Sequence, residues 1–199
     1  MTHNQSNILA VWQLATLTEQ QDGAAWYPAA LRISRKLAER YSVTLEQAAG
    51  VIAALSPRNR WERNVIDAER LISAYVFGGS EQAAATKVCT FTTNKTKAIA
   101  ILAAEDADSE RVLEILSGPK LREFYSCIIG LDDVCIDGHA YCIWAGNRTG
   151  LKDVPSIGVK LRRQIKADYA AAAATLGVPA SVCQAVTWCA WRRIHGVAN

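Results

Sequence analysis

The sequence predicts an all-α protein, and three observations carry that prediction. Ala, Leu and Ile recur at helical spacing along most of the chain. Sustained alternation of β-branched residues, the mark of a half-buried strand, is almost absent. Helix punctuation falls between the apolar stretches: a capping pair at Thr44 and Gln47, a glycine pair at Gly78 and Gly79, and a Gly118-Pro119 corner. A length of 199 residues suits one well-buried core or two small lobes, and is short for two ordinary independent domains. The expectation is a single compact unit over 1–199.

The elements follow in order. "NQSNILAVWQLATLTEQQ" and "AAWYPAALRISRKLAERY" read as two helices divided at Asp22 and Gly23, the second interrupted or started near Pro28. "TLEQAAGVIAAL" begins at its Thr44–Gln47 capping box and ends at Ser56 and Pro57. "WERNVIDAERLISAYVFGG" sets Val65, Ala68, Leu71, Ile72 and Tyr75 on one face and stops at the glycine pair. "TNKTKAIAILAAED" is a short helix with polar residues crowded at its start. "SERVLEILSG" and "PKLREFYSCIIG" are two more, with Pro119 at a first helical position. "PSIGVKLRRQIKADYAAAAATLGV" and "PASVCQAVTWCAWRRIHG" give two longer helices, and the Ala run at 170–174 is simply good helix.

Composition bounds the function. Half the residues are hydrophobic and 21% are charged, which excludes general disorder. A net charge of +3 permits a polyanionic partner without demanding one. Six cysteines, Cys89, Cys127, Cys135, Cys142, Cys183 and Cys189, lie in or beside apolar stretches and form no CxxC pair, so they read as small buried hydrophobes. Neither a basic leader nor an apolar run of membrane-spanning length is present, so a cytoplasmic protein with reduced thiols and no membrane partner is expected.

Four stretches carry residues suited to chemistry. "SPRNRWERN" crowds Arg58, Asn59, Arg60, Trp61, Arg63 and Asn64 together: guanidinium forks for phosphates, amides for a base edge, an indole for stacking. Arg58 or Trp61 would serve as the plug that replaces a flipped base. The bland reading is a solvated loop with Trp61 packed beneath it. Asn94, Lys95 and Lys97 stand at a helix start, where cations oppose the macrodipole; a phosphate contact explains them, and a solvated helix end nearly as well. Gln184, Trp188, Trp191, Arg192 and His195 share one broad helical face. A buried Gln or Arg without a partner costs roughly 1–3 kcal/mol, so this face lines a cleft or forms a polar seam, with Trp191 as core. In "VCIDGHAYCIW", Asp137 stands at a helix mouth with His139 two residues on. A plain cap there is worth about 1 kcal/mol.

The order of these pieces over about residues 44–146, "AALSPRNRW", then "NKTKAIAI", then "LSGPK", then "IDGH", resembles the helix-hairpin-helix DNA glycosylase superfamily that includes endonuclease III. Within it the chain is most similar to a phage and genomic-island branch, the alpha-glutamyl/putrescinyl thymine pyrophosphorylase group, through its "SP" loop, its "GPK…FY" hairpin, and Gln184, Ala185 and Trp188. The resemblance implies a two-lobed helical bundle, with one lobe over about 44–136 and its hairpin at 116–122. The second lobe is then 1–43 with 137–199. It implies DNA as partner, no cofactor and no metal. Asp137 becomes the carboxylate that stabilises a sugar cation, and Lys120 stands near the place of the family's lyase lysine. One departure is visible: the family's Gly-x-Gly hairpin is shortened here to "SGPK", and Pro119 removes an amide that would approach a phosphate. The competing expectation is a non-catalytic nucleic-acid-binding protein that keeps the fold.

Overall fold

The computed structural model describes residues 1–150 and 152–196. Among them all regular structure is helical: α1 His3–Gln13, α2 Leu17–Tyr41, α3 Leu45–Leu55, α4 Trp61–Ala85, α5 Thr92–Ala103, α6 Ser109–Leu116, α7 Pro119–Ile129, α8 Gly138–Ala145, α9 Val159–Leu176 and α10 Ala180–Ile194. The chain divides into a terminal unit, residues 1–28 with 130–199, and a central unit, 29–129. From the sequence these divisions are expected at about 43/44 and 136/137. They lie earlier because the end of α2 is tied to α4 by Arg40 and Glu69, at 2.6 Å, and because Val134 and Ile136 enter the core of the terminal unit.

In the central unit α3 is the axis. Every residue from Gln47 to Leu55 is buried, and α4, α5, α6 and α7 pack around it. The capping box forms as the sequence predicts: the Thr44 hydroxyl accepts from the Gln47 amide at 3.0 Å, and the Gln47 side chain accepts from Thr44 N at 2.9 Å. Gly50 lets the neighbouring helices close in, since a Cβ there would lie 2.8 Å from Val112 Cγ1 and 3.2 Å from Ile101. On α4, Ala68, Leu71 and Ile72 are buried while Val65 and Tyr75 are half-buried. The stop expected at the glycine pair is instead a break: Gly79 takes φ +69°, and helix resumes to Ala85.

In the terminal unit α1, α8, α9 and α10 pack around Ile8, Ile136, Ile143, Ile165, Tyr169 and Cys183. The expected helix boundary at Asp22 and Gly23 is not there. The chain turns at Leu14–Thr16, where Thr16 Oγ1 accepts from Glu19 N at 3.2 Å and Glu19 accepts from Thr16 N at 2.8 Å. Gly23 sits inside α2 because a Cβ there would lie 2.5–2.6 Å from Val186, its backbone included. Asp168, buried on α9, accepts from Trp144 Nε1 at 2.8 Å, Thr2 Oγ1 at 2.9 Å and Gln5 Nε2 at 3.1 Å, and so fixes the start of α1.

Four cysteines are buried and Cys189 is half-buried, but Cys89 is exposed, because it lies in the turn before α5 and not on an apolar face. Among the described residues no single helix is long and apolar enough to cross a membrane; α9 and α10 reach that length only as a pair bent by 94°.

Candidate functional site

Asp137 follows a buried run, Val134–Ile136, and takes an extended backbone, φ −110° and ψ −173°, at the start of α8. Its Oδ1 accepts from Ala140 N at 2.9 Å, the cap bond that its residue type favours. The far end of α8 is held as firmly. Gly146 adopts a left-handed φ of +72°, and the Asn4 and Asn7 side-chain amides donate to Trp144 O at 3.0 and 3.1 Å. The carboxylate is thus mounted on a short helix anchored at both ends. It is half-buried, and its second oxygen accepts no hydrogen bond among the described residues. Behind it stands Tyr169, which donates to Ala140 O at 3.4 Å. Burial, followed by the nearby Cys183 thiol and the Asp137 carboxylate, pushes the Tyr169 phenol well above its usual range, so it stays neutral. His139, half-buried in the first turn of α8, lies in the same neighbourhood as Arg148 and His195. Burial lowers the His195 pKa first, and the nearby Arg148 and His139 lower it further.

The arginine-rich loop between α3 and α4 belongs to the central unit. Arg58 is exposed at φ +57°, with its guanidinium 4.9 Å from the Phe91 ring centre. Arg60 is exposed at the N-cap of α4 and makes no side-chain cap. Trp61 is half-buried, edge-on to Phe124 at 6.5 Å. Asn59 and Asn64 turn inward. Asn59 donates to Asp67 at 3.2 Å, and Asn64, 1% exposed, donates to Ile52 O at 3.0 Å. The Oδ1 atoms of both asparagines are buried and have no hydrogen-bond partner among the described residues. Asp67, which the sequence reading passes over, organises this region. Fully buried, it accepts from Asn59, from Arg63 Nε at 2.8 Å and from Cys89 N at 2.7 Å, joining the loop after α3 to the loop before α5. Its signal in the sequence is a carboxylate flanking the apolar face of α4.

Asn94 is buried and donates to Thr90 Oγ1 at 3.2 Å. The two lysines beside it reach the carbonyl ends of other helices: Lys95 Nζ donates to Ala84 O at 2.6 Å and Thr86 O at 3.2 Å, and Lys97 Nζ to Leu116 O at 2.9 Å. Those are the negative ends of α4 and α6, where a cation is stabilising. Their position needs no phosphate to explain it. Lys120 is exposed in the first turn of α7. The corner before it is closed on itself: Ser117 N donates to Leu113 O at 3.3 Å, Gly118 N to Leu116 O at 2.6 Å, and Pro119 has no N–H. Three successive hairpin positions therefore present no free amide to a phosphate.

On α10, Gln184 is buried and accepts from Tyr27 OH at 2.9 Å. Trp188 stacks at a tilt on Trp26, 5.4 Å between ring centres, and carries the Arg192 guanidinium at 4.3 Å. Trp191 is buried. This face is a polar and aromatic seam toward the first half of α2. Among the described residues no cluster of His, Cys, Asp and Glu could hold a metal ion.

Residues 1–195 match a family of unknown function, DUF7178. The chain belongs to that family. No curated protein and no solved structure matches it. In this DUF7178 member the candidate residues fall into two sets. Asp137, His139, Gln184, Trp188 and Arg192 lie in the terminal unit, and Arg58, Asn59, Arg60, Trp61, Asn64, Asn94, Lys95, Lys97 and Lys120 in the central one.

Proposed function

We propose that this DUF7178 member is a DNA N-glycosylase-like enzyme that cleaves or exchanges the base-sugar bond of a flipped pyrimidine nucleotide, with Asp137 as its catalytic carboxylate. The observation that carries the reading is the mounting of Asp137. One oxygen is committed to the Ala140 amide, the other accepts no hydrogen bond among the described residues, and the helix beneath is anchored at both ends. Scission of a C1′–N bond leaves positive charge on the sugar while the bonding pair departs with the base. A fixed carboxylate stabilises that charge without reorganising. It then takes a proton from the water that adds to C1′, and solvent protonates the departing base. Arg58 and Arg60 are suited to the phosphates. Lys120 is the residue through which an amine route would run, and borohydride trapping of a protein-DNA adduct reports on it.

The test is incubation of the protein with DNA carrying normal, uracil, oxidised or hypermodified pyrimidines, scored for released base and abasic sites. Release by the native protein and none by Asp137→Asn is expected; equal release by both sinks the assignment. The self-closed hairpin favours a second reading, a nucleic-acid-binding protein without turnover. It is recognised by salt-dependent DNA binding with no base released from any of these substrates.

A further inference from the structure

The central unit also contains an open hollow of about 600 Å³ between the end of α2 and the outer face of α4, whose lining includes Tyr41, Ile66, Glu69, Arg70, Ser73 and Lys87. Its charges are unevenly matched. Glu69 accepts from Arg40 at 2.6 Å and from Tyr41 OH at 3.1 Å, so its charge is already answered. Arg70 and Lys87 are both exposed, and neither forms an ion pair among the described residues. Two unanswered cations around one hollow repel each other, and an anion between them removes that repulsion.

The apolar part is equally specific. Ile66, in the lining, is 46% exposed, and beside the hollow, outside its lining, stands Phe77, 80% exposed, its ring edge-on to the lining residue Tyr41 at 6.4 Å. Residues 66, 70, 73, 74 and 77 follow helical spacing, so apolar and cationic groups share one outward face of α4. A bare inorganic anion would leave the rings unused, and an uncharged ring would leave the cations unused. The volume falls within the range of small-molecule sites, about 300–1,000 Å³.

We infer that this hollow binds a nucleoside monophosphate, with the phosphate between Arg70 and Lys87 and within reach of the Ser73 hydroxyl, and the base against Phe77 and Tyr41. None of these residues belongs to the site proposed above, so the inference stands without that reading. The test is calorimetric titration of the full chain at low salt with thymidine monophosphate, adenosine monophosphate, inorganic phosphate and thymidine. Either monophosphate is expected to bind at least about tenfold more tightly than phosphate or thymidine. Arg70→Ala and Lys87→Ala, both on exposed side chains, each weaken the monophosphate about tenfold. Phe77→Ala weakens the monophosphate and leaves phosphate unchanged. Equal affinity for phosphate and monophosphate, no binding of either monophosphate, tighter binding of an oligoglutamate peptide, or indifference to Arg70→Ala in a variant that melts like the native chain overturns the inference.

Discussion

Asparagine caps helices about as well as aspartate, so Asp137→Asn keeps an acceptor for the Ala140 amide and is expected to leave the thermal midpoint nearly unchanged while abolishing base release. Asp137→Ala loses the cap and about 1 kcal/mol of stability as well. The pair of variants separates the two roles of one carboxylate, and denaturant titration beside the release assay reads both. Asp67 makes a different case. Being fully buried, it holds three donors that no water replaces, so Asp67→Ala is expected to cost about 3 kcal/mol in the same titration. A loss under about 1 kcal/mol would show that the loops before α4 and α5 do not depend on it. Asp137 was legible in the sequence because its setting is local: an apolar run behind it, a helix ahead, His139 two residues on. Asp67 and Asp168 were not, because their partners arrive from far along the chain, Cys89 in one case and Thr2 in the other.

Helices and their corners were read well where the signal was a cap and poorly where it was a glycine. Thr44 and Gln47 announce α3 because both partners of the cap lie within four residues. Gly23 reads locally as a break, but its reason for being there is Val186 on α10, which the local pattern cannot show. Alanine at Gly23 would gain about 1 kcal/mol of helix propensity. Its Cβ would also meet the Cα and N of Val186 at 2.6 Å, and backbone cannot step aside as a side-chain end can. Gly23→Ala is therefore expected to lose about 2 kcal/mol net. Gly50→Ala loses less, since the atoms it meets on Val112 and Ile101 are side-chain ends. The corner between α1 and α2 adds a pH dependence. Arg193 donates to both oxygens of Glu19, at 2.7 and 3.2 Å, and to Leu14 O at 2.7 Å. The Arg193 hydrogen bond is the largest influence on Glu19 and, against the opposing effect of burial, holds the carboxyl below its usual 4.5. A carboxylate whose folded pKa is depressed contributes stability that is present above the unfolded value and is lost as pH falls through the folded one. Thermal midpoints should thus drop below about pH 4.5, and Arg193→Ala should flatten that part of the profile. An unchanged acid limb in Arg193→Ala would remove the pair from the account.

For the whole molecule, 22 basic and 19 acidic residues leave a net charge of only +3, too little for a general electrostatic field to hold DNA. Any affinity must come from particular cations, and the structure separates those already engaged from those that are not. Lys95 and Lys97 are committed to the carbonyl ends of α4 and α6, a long-range fact that their crowding at the start of α5 does not reveal. Arg60 is exposed and makes no side-chain cap, and Arg58 is exposed with its guanidinium over the Phe91 ring. The condensed counterions lie on the DNA phosphates and leave as a protein cation neutralises each one; a lysine held by protein carbonyls is poorly placed to do that, whereas a solvent-facing guanidinium is free to. Arg58→Ala and Arg60→Ala are each expected to reduce the slope of log affinity against log salt by about 0.9. Lys97→Ala should leave the slope alone and instead lower stability by about 0.5–1 kcal/mol, through loss of its bond to Leu116 at the end of α6. Measuring both quantities for the three variants divides the basic residues by role. A slope that falls with Lys97→Ala and not with Arg58→Ala would place the phosphate path at the start of α5 and remove the loop after α3 from the binding surface.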